Sequence, residues 1–198
     1  RDNPSLTQTA QALLPTITLT PTPTLTPTPL PQTATPTPTA TPPAPVLPGS
    51  LLFSSNREGR PQIYHRDMNT GSLTRLTVSD GDDTLPAWSP DGSKVAFTTN
   101  RDGNQEIYVM DANGANQTNL SNHPADDVHP AWSPDGQWIA FSSNRDVNAE
   151  IYVMRADGSE QHNISNHPAN DAQPFWGTAS GAFGGVEVIL FVTDRDSN

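Results

Sequence analysis

The sequence has no cysteine, so disulfides and thiolate metal sites are excluded. Residues 3 to 56 contain no Asp, Glu, Lys or Arg. No apolar run approaches the ~20 residues that a spanning helix needs, which excludes helical membrane insertion. Basic residues are few: Lys and Arg number 10 against 21 Asp and Glu, a formal net charge of −11. Nucleic acid and anionic lipid are therefore unsuited as partners, because there are few cations to neutralise phosphates. There is no initiating Met and no secretory apolar core, so the chain is expected to be processed or a fragment.

The charge that is present falls almost wholly after residue 56, and every Trp, Phe and Tyr lies at or after residue 53. About 150 residues, from 50 to 198, remain for one folded domain. Residues 1–49 read differently, with 13 of the 21 prolines lying before residue 49. Proline fixes φ, removes a donor and pushes its predecessor to extended conformations, so a polyproline II stalk is expected here. Thr-Pro composition is also that of O-glycosylated stalks. The candidate acceptors are Thr16, Thr18, Thr20, Thr22, Thr24, Thr26, Thr28, Thr33, Thr35, Thr37, Thr39 and Thr41; a bare linker is the alternative.

Internal repetition is the strongest signal. Asn56-Arg57, Asn100-Arg101 and Asn144-Arg145 step by 44 residues, as do Ile63-Tyr64, Ile107-Tyr108 and Ile151-Tyr152. The same step separates Trp88, Trp132 and Trp176, and also Asp83, Asp127 and Asp171, and Pro86, Pro130 and Pro174. The units run over about 51–92, 93–136 and 137–176, with a partial fourth at 177–198. In one of them, Pro130-Ala131-Trp132 precedes a Ser133-Pro134-Asp135-Gly136 turn. The apolar run Trp138 to Ser143 suits a strand buried on both faces. Glu150 to Met154 is the next strand, Ala156-Asp157-Gly158 the next hairpin turn, and Gln161 to Ser165 a polar outer strand. Four short strands per ~44 residues predict an all-β chain of β-propeller blades, with the repeated Trp residues equivalent and largely buried between them.

The segments Pro86-Ala87-Trp88-Ser89-Pro90-Asp91-Gly92 and Asn100-Arg101-Asp102-Gly103-Asn104-Gln105-Glu106-Ile107-Tyr108 resemble the WD-type repeat of TolB-like propellers. The resemblance covers about residues 51–176. It implies a propeller, commonly of six blades, that acts by binding proteins, as a TolB-like periplasmic scaffold for envelope proteins does. It equally admits the propeller half of a serine peptidase whose catalytic domain lies elsewhere. The separate α/β domain of TolB has no counterpart here.

Chemistry-bearing motifs are scarce. No G-x-S-x-G, H-E-x-x-H, P-loop or dinucleotide fingerprint occurs. His65, His129 and His162 match other residue types in the sister units, and His123 and His167 face Ser79 in the first unit. No catalytic residue, cofactor or hydrolytic activity is expected. Arg57, Arg101 and Arg145 are expected to bridge neighbouring carboxylates or carbonyls between blades. Asp83, Asp127 and Asp171 are read either as loop-fixing acceptors or, near the channel mouth where the resemblance to TolB-like propellers implies they lie, as a cation site that calcium would fill. The functional expectation is a non-enzymatic bacterial module, extracellular or on the cell surface, binding proteins or glycans or further copies of itself. A periplasmic location is the alternative. The first unit opens at Leu51 without its Pro-x-Trp strand. Val186 to Arg195 resembles Leu51 to Arg57 after a six-residue insertion, since Phe53 to Phe191 is 138 rather than 132. The chain is therefore expected to be truncated, or completed between chains in a ring or fibre.

Overall fold

The computed structural model describes residues 49–179 and 185–195. The stalk expected over 1–49, with its candidate threonines, lies outside the described residues apart from Gly49. The described residues form thirteen strands and no helix. In chain order these are β1 (Ser50–Ser55), β2 (Gln62–Asp67), β3 (Leu73–Arg75), β4 (Asp83–Trp88), β5 (Lys94–Thr99), β6 (Glu106–Asp111) and β7 (Thr118–Asn119). They continue with β8 (Asp127–Trp132), β9 (Trp138–Ser143), β10 (Glu150–Arg155), β11 (His162–Asn163), β12 (Asp171–Ala179) and β13 (Val186–Thr193).

These strands make four antiparallel sheets ordered β1-β2-β3, β4-β5-β6-β7, β8-β9-β10-β11 and β12-β13. Each full sheet starts with the strand Asp-x-x-Pro-x-Trp, one strand before the sequence unit. The outer strand expected over Gln161 to Ser165 shortens to His162–Asn163. It departs after two residues because the Ser165 hydroxyl turns inward to the Glu150 carboxylate.

Cores form between sheets rather than within them. One cluster joins Ile107, Val109 and Leu120 of the second sheet region to Trp132, Ile139 and Phe141 of the third. The other joins Ile63 and Leu76 to Val95, Phe97 and Met110. The middle strands β5, β6, β9 and β10 are buried on both faces, as their near-continuous apolar runs require. Neighbouring sheets are also tied by backbone. The amides of Asp83, Asp127 and Asp171 donate to the carbonyls of Pro61, Gln105 and Ala149 in the sheet before (2.9, 2.8 and 2.7 Å). Gly158 turns the β10-β11 hairpin at φ +88°, and a Cβ there would stand 2.9 Å from the Leu120 carbonyl oxygen of the previous sheet. The hairpin therefore needs glycine both for its conformation and for the close approach.

The three repeated tryptophans are equivalent in register but not in burial. Trp132 is 7% exposed, whereas Trp88 and Trp176 are only half-buried. Trp132 is enclosed by complete sheets on both sides. Trp88 faces the three-stranded first sheet, and Trp176 belongs to the two-stranded fourth. The second face of that last sheet leaves Phe175 and Leu190 63% and 60% exposed.

Candidate functional site

Two repeated constructions carry the polar chemistry of the molecule. The first pins the head of each inner strand. Arg145 follows β9 and lies over the Phe141 and Tyr152 rings, 5.5 and 4.5 Å from their centroids. Its Nε donates to Ser143 Oγ (2.8 Å), Nη1 to Gln161 Oε1 (3.0 Å) and Nη2 to Asp127 (2.7 Å). Arg101 repeats each contact with Thr99, Gln117 and Asp83. Arg195 pairs in turn with Asp171. The three carboxylates are fully buried. The expectation that the arginines bridge between blades is corrected here. Arginine and aspartate sit on adjacent strands of one sheet, because the loop after the second strand folds back over the head of the first.

The candidate cation ligands Asp83, Asp127 and Asp171 are therefore held apart, each on its own guanidinium. Among the described residues no three His, Asp or Glu side chains converge as a metal site. Their neighbours differ. Ser79 Oγ donates to Asp83 at 2.9 Å. The equivalent residue before Asp127 is His123, whose Nδ1 instead accepts the Ala125 amide. Asp127 Oδ1 is consequently buried without a donor, and burial pushes its carboxyl above the ordinary value of 3.8 despite Arg145.

Most other shifted carboxyls move the opposite way. The Ser89 hydroxyl lowers Asp91, and the Tyr152 hydroxyl and Asn163 amide lower Asp146. At Asp171, burial raises the carboxyl but the bonds from Arg195 and Thr193 outweigh it, leaving it lowered. A carboxyl that titrates lower in the fold than in the unfolded chain contributes stability above its unfolded value, lost as pH falls through its folded value. Unfolding free energy measured in urea should therefore fall below about pH 4. A rise in stability on acidification below pH 4 would contradict this balance. At the alkaline end, burial and the bond to Asp102 or Asp146 push the phenols of Tyr108 and Tyr152 up to about 12. Their contribution is accordingly lost as pH rises from about 10 through 12.

The second construction is an axial cleft. Each inner strand carries a β-bulge: between Thr84 and Ala87, Val128 and Ala131, and Ala172 and Phe175. At its centre stands a non-glycine residue at positive φ: Leu85 (51°), His129 (58°) and Gln173 (53°). A proline follows each one. Backbones of this kind are strained and persist only when their surroundings hold them. The three bulges turn Leu85, His129 and Gln173, with Pro86, Pro130 and Pro174, around one cleft of about 400 Å³. Burial lowers the His129 ring below 6.5, which keeps it neutral at pH 7, and its Nδ1 is buried with no partner. Sequence reasoning used the prolines as a repeat marker and passed over the residue before them. Variation at one fixed place in a repeat, Leu then His then Gln, was the available signal.

The other histidines are engaged locally. Ser50 and His65 are linked across strands at 2.7 Å. The nearby Asp67 carboxylate instead accepts the Asn69 and Thr70 amides, and among the described residues no carboxylate bonds the His65 ring. His167 Nδ1 accepts the Ala169 amide, and His162 Nδ1 lies 2.8 Å from the Glu160 carbonyl.

Comparison with known proteins agrees with this geometry. The family model of the TolB beta propeller domain matches residues 79–196. A putative TolB from Agrobacterium tumefaciens superposes with a TM-score of 0.58 at 22% identity, over 73% of this chain and 55% of that one. TolB from Acinetobacter baumannii gives 0.54 at 23% identity, over 72% and 41%. A chain of a nidogen/laminin complex gives 0.55 at 15% identity, over 73% and 53%. The chain thus spans about half the length of the solved structures it matches, and at these identities the likeness is one of fold. No curated protein matches the sequence. With blade order, repeat and family model in agreement, the chain belongs to the TolB β-propeller family.

Proposed function

We propose that this chain is a non-enzymatic recognition module, displayed outside the bacterial cytoplasm on its Thr/Pro-rich stretch, that binds a partner protein at the axial cleft. One observation carries the reading. The three bulges repeat the same strained backbone while presenting three different side chains to one cleft. A fixed scaffold with variable tips is what recognition requires: orientation is set by the strands, and specificity by an apolar contact, a neutral imidazole and an amide. The protein contacts found in the nidogen/laminin complex, and the likeness to TolB structures, support binding as the family's mode of action. The likeness to TolB also supports a periplasmic scaffold as the second reading.

Peptides selected from a display library on the 198-residue chain test the proposal. Binding should weaken at least about tenfold in the His129→Ala/Gln173→Ala variant, the range typical of an interface hot spot, with its melting temperature kept. Ligands that bind both proteins equally would move the site elsewhere. Turnover of generic esters or peptides that Ser50→Ala abolishes would overturn the non-enzymatic reading.

A further inference from the structure

The sequence holds two Ser-Pro-Asp-Gly turns, at 89–92 and 133–136, and the axial cleft uses neither of their aspartates. They join β4 to β5 and β8 to β9, at the ends of the sheets opposite Asp83 and Asp127. Both belong to complete four-stranded sheets that pack on each other. A Cβ on Gly136 would lie 3.6 Å from Pro90 Cδ, so the second turn rests against the proline of the first. Beside this contact opens a groove of about 540 Å³. Pro90, Trp132, Pro134 and Ala156 give it an apolar lining, and the exposed Asp91 and Asp135 add carboxylates.

Each turn fixes its own carboxylate. Ser89 Oγ and the Ser93 amide donate to Asp91 Oδ1 (2.6 and 3.0 Å), and Ser93 Oγ donates to Oδ2 (2.7 Å). Asp135 Oδ1 accepts the Ser133 hydroxyl and the Gln137 amide (2.6 and 3.0 Å). Gln137 stands where the first turn has Ser93, so no side-chain hydroxyl reaches Asp135 Oδ2. The Ser89 hydroxyl holds Asp91 below 3.8. At Asp135 partial burial works the other way, and the Ser133 hydroxyl and Gln137 amide outweigh it. Both groups are therefore ionised at neutral pH. The neighbouring cations are committed elsewhere: Lys94 Nζ pairs with Asp111 at 3.0 Å, and Arg155 Nε with Glu160 at 3.4 Å. Among the described residues neither Asp91 nor Asp135 forms an ion pair.

We infer that the groove between the two Ser-Pro-Asp-Gly turns is a docking site for a lysine-bearing segment of a partner polypeptide, whose ammonium groups seat on Asp91 and Asp135 and whose aliphatic stems lie against Pro90, Trp132 and Pro134. Lysine suits such a lining because its four-carbon stem covers apolar surface while its charged head stays in water. The carboxylates are held in place before any ligand arrives, which lowers the cost of ordering them on binding. Charge selects the occupant. A second copy brings a formal net charge of −11 and is repelled. The Thr/Pro-rich stretch of the chain offers no cation between residues 3 and 56. The groove shares no residue with the axial cleft, so the two sites stand or fall separately.

The probe is a labelled synthetic peptide, Gly-Lys-Leu-Lys-Leu-Gly, titrated into the 198-residue chain at low salt. Saturable binding is expected, with amide chemical-shift changes centred on Ser93, Gly136 and Ala156. Asp91→Asn/Asp135→Asn keeps the acceptor oxygens that hold the turns and removes both charges. It should weaken binding about tenfold, the sum of two exposed ion pairs near the top of their range. Asp80→Asn/Asp82→Asn makes the same charge change at the other end of the sheets, and screening should keep its effect within about twofold. Acetylating both peptide lysines should cost as much as the Asp91→Asn/Asp135→Asn change while leaving the protein unaltered. Absent binding, equal losses in the two double variants, or shifts centred on His129 would each overturn the site. Spermidine carries ammonium groups without a main chain; if it bound as tightly as the peptide, a small amine would be the occupant and the polypeptide segment would be overturned.

Discussion

Arg145→Met is expected to lower the stability of the folded unit by about 3–5 kcal/mol, the cost of leaving a buried charge without its partner. Asp127 is fully buried, and Arg145 gives it its charged hydrogen bond. Methionine keeps most of the packing over Phe141 and Tyr152 and removes the fork. For a domain of this size the loss corresponds to roughly 10 °C in melting temperature. The loss should also depend on pH with a definite sign. Burial already raises the Asp127 carboxyl, and losing the guanidinium raises it further. The penalty is thus full above that raised value and fades as acid neutralises the group. The double variant Asp127→Leu/Arg145→Met should recover part of the loss, because it removes the orphaned charge. A loss below about 1 kcal/mol for Arg145→Met would place this pair with exposed ion pairs.

Trp132→Ala should cost about 3–5 kcal/mol, the range for deleting a large aromatic from a packed interior. Its ring sits in the cluster that joins the second and third sheets, and its Nε1 bonds the Ala87 carbonyl. Trp132→Phe isolates that bond and should cost much less. Trp88→Ala is expected to be milder than Trp132→Ala, because Trp88 is half-buried and its Nε1 has no acceptor to lose. Urea unfolding of the three variants checks the order, with the denaturant slope reporting whether the exposed surface has changed. Equal losses for Trp88→Ala and Trp132→Ala would mean that Trp88 is no less enclosed beside the three-stranded first sheet.

The sheets were legible because each turn announces itself. Pro, Asp and Gly recur at positions whose backbone they favour, and the apolar runs between them mark strands covered on both faces. Arg101, Arg145, Asp83 and Asp127 were legible as series but not as pairs. A constant 44-residue step states that positions are equivalent, yet it does not say which neighbours share a sheet. Burial of Trp88 and Trp176 was misread for a related reason. Equivalence in a repeat fixes register, whereas enclosure depends on the adjoining sheets, and the first and last described sheets have fewer strands. The axial cleft was hardest to see. Leu85, His129 and Gln173 share no chemistry, and positive φ at a non-glycine residue is imposed by packing rather than encoded in the residue itself.

The same arginine therefore has two roles. In the second and third sheets it closes on a buried carboxylate, and in the first sheet no carboxylate among the described residues meets Arg57. Unfolding free energies of Arg57→Met, Arg101→Met and Arg145→Met, measured side by side on the 198-residue chain, test that claim most directly. Losses of about 3–5 kcal/mol at Arg101 and Arg145, against less than about 1 kcal/mol at the exposed Arg57, are the predicted result. Three equal losses would contradict it, since Arg57 would then be holding a buried charge of its own.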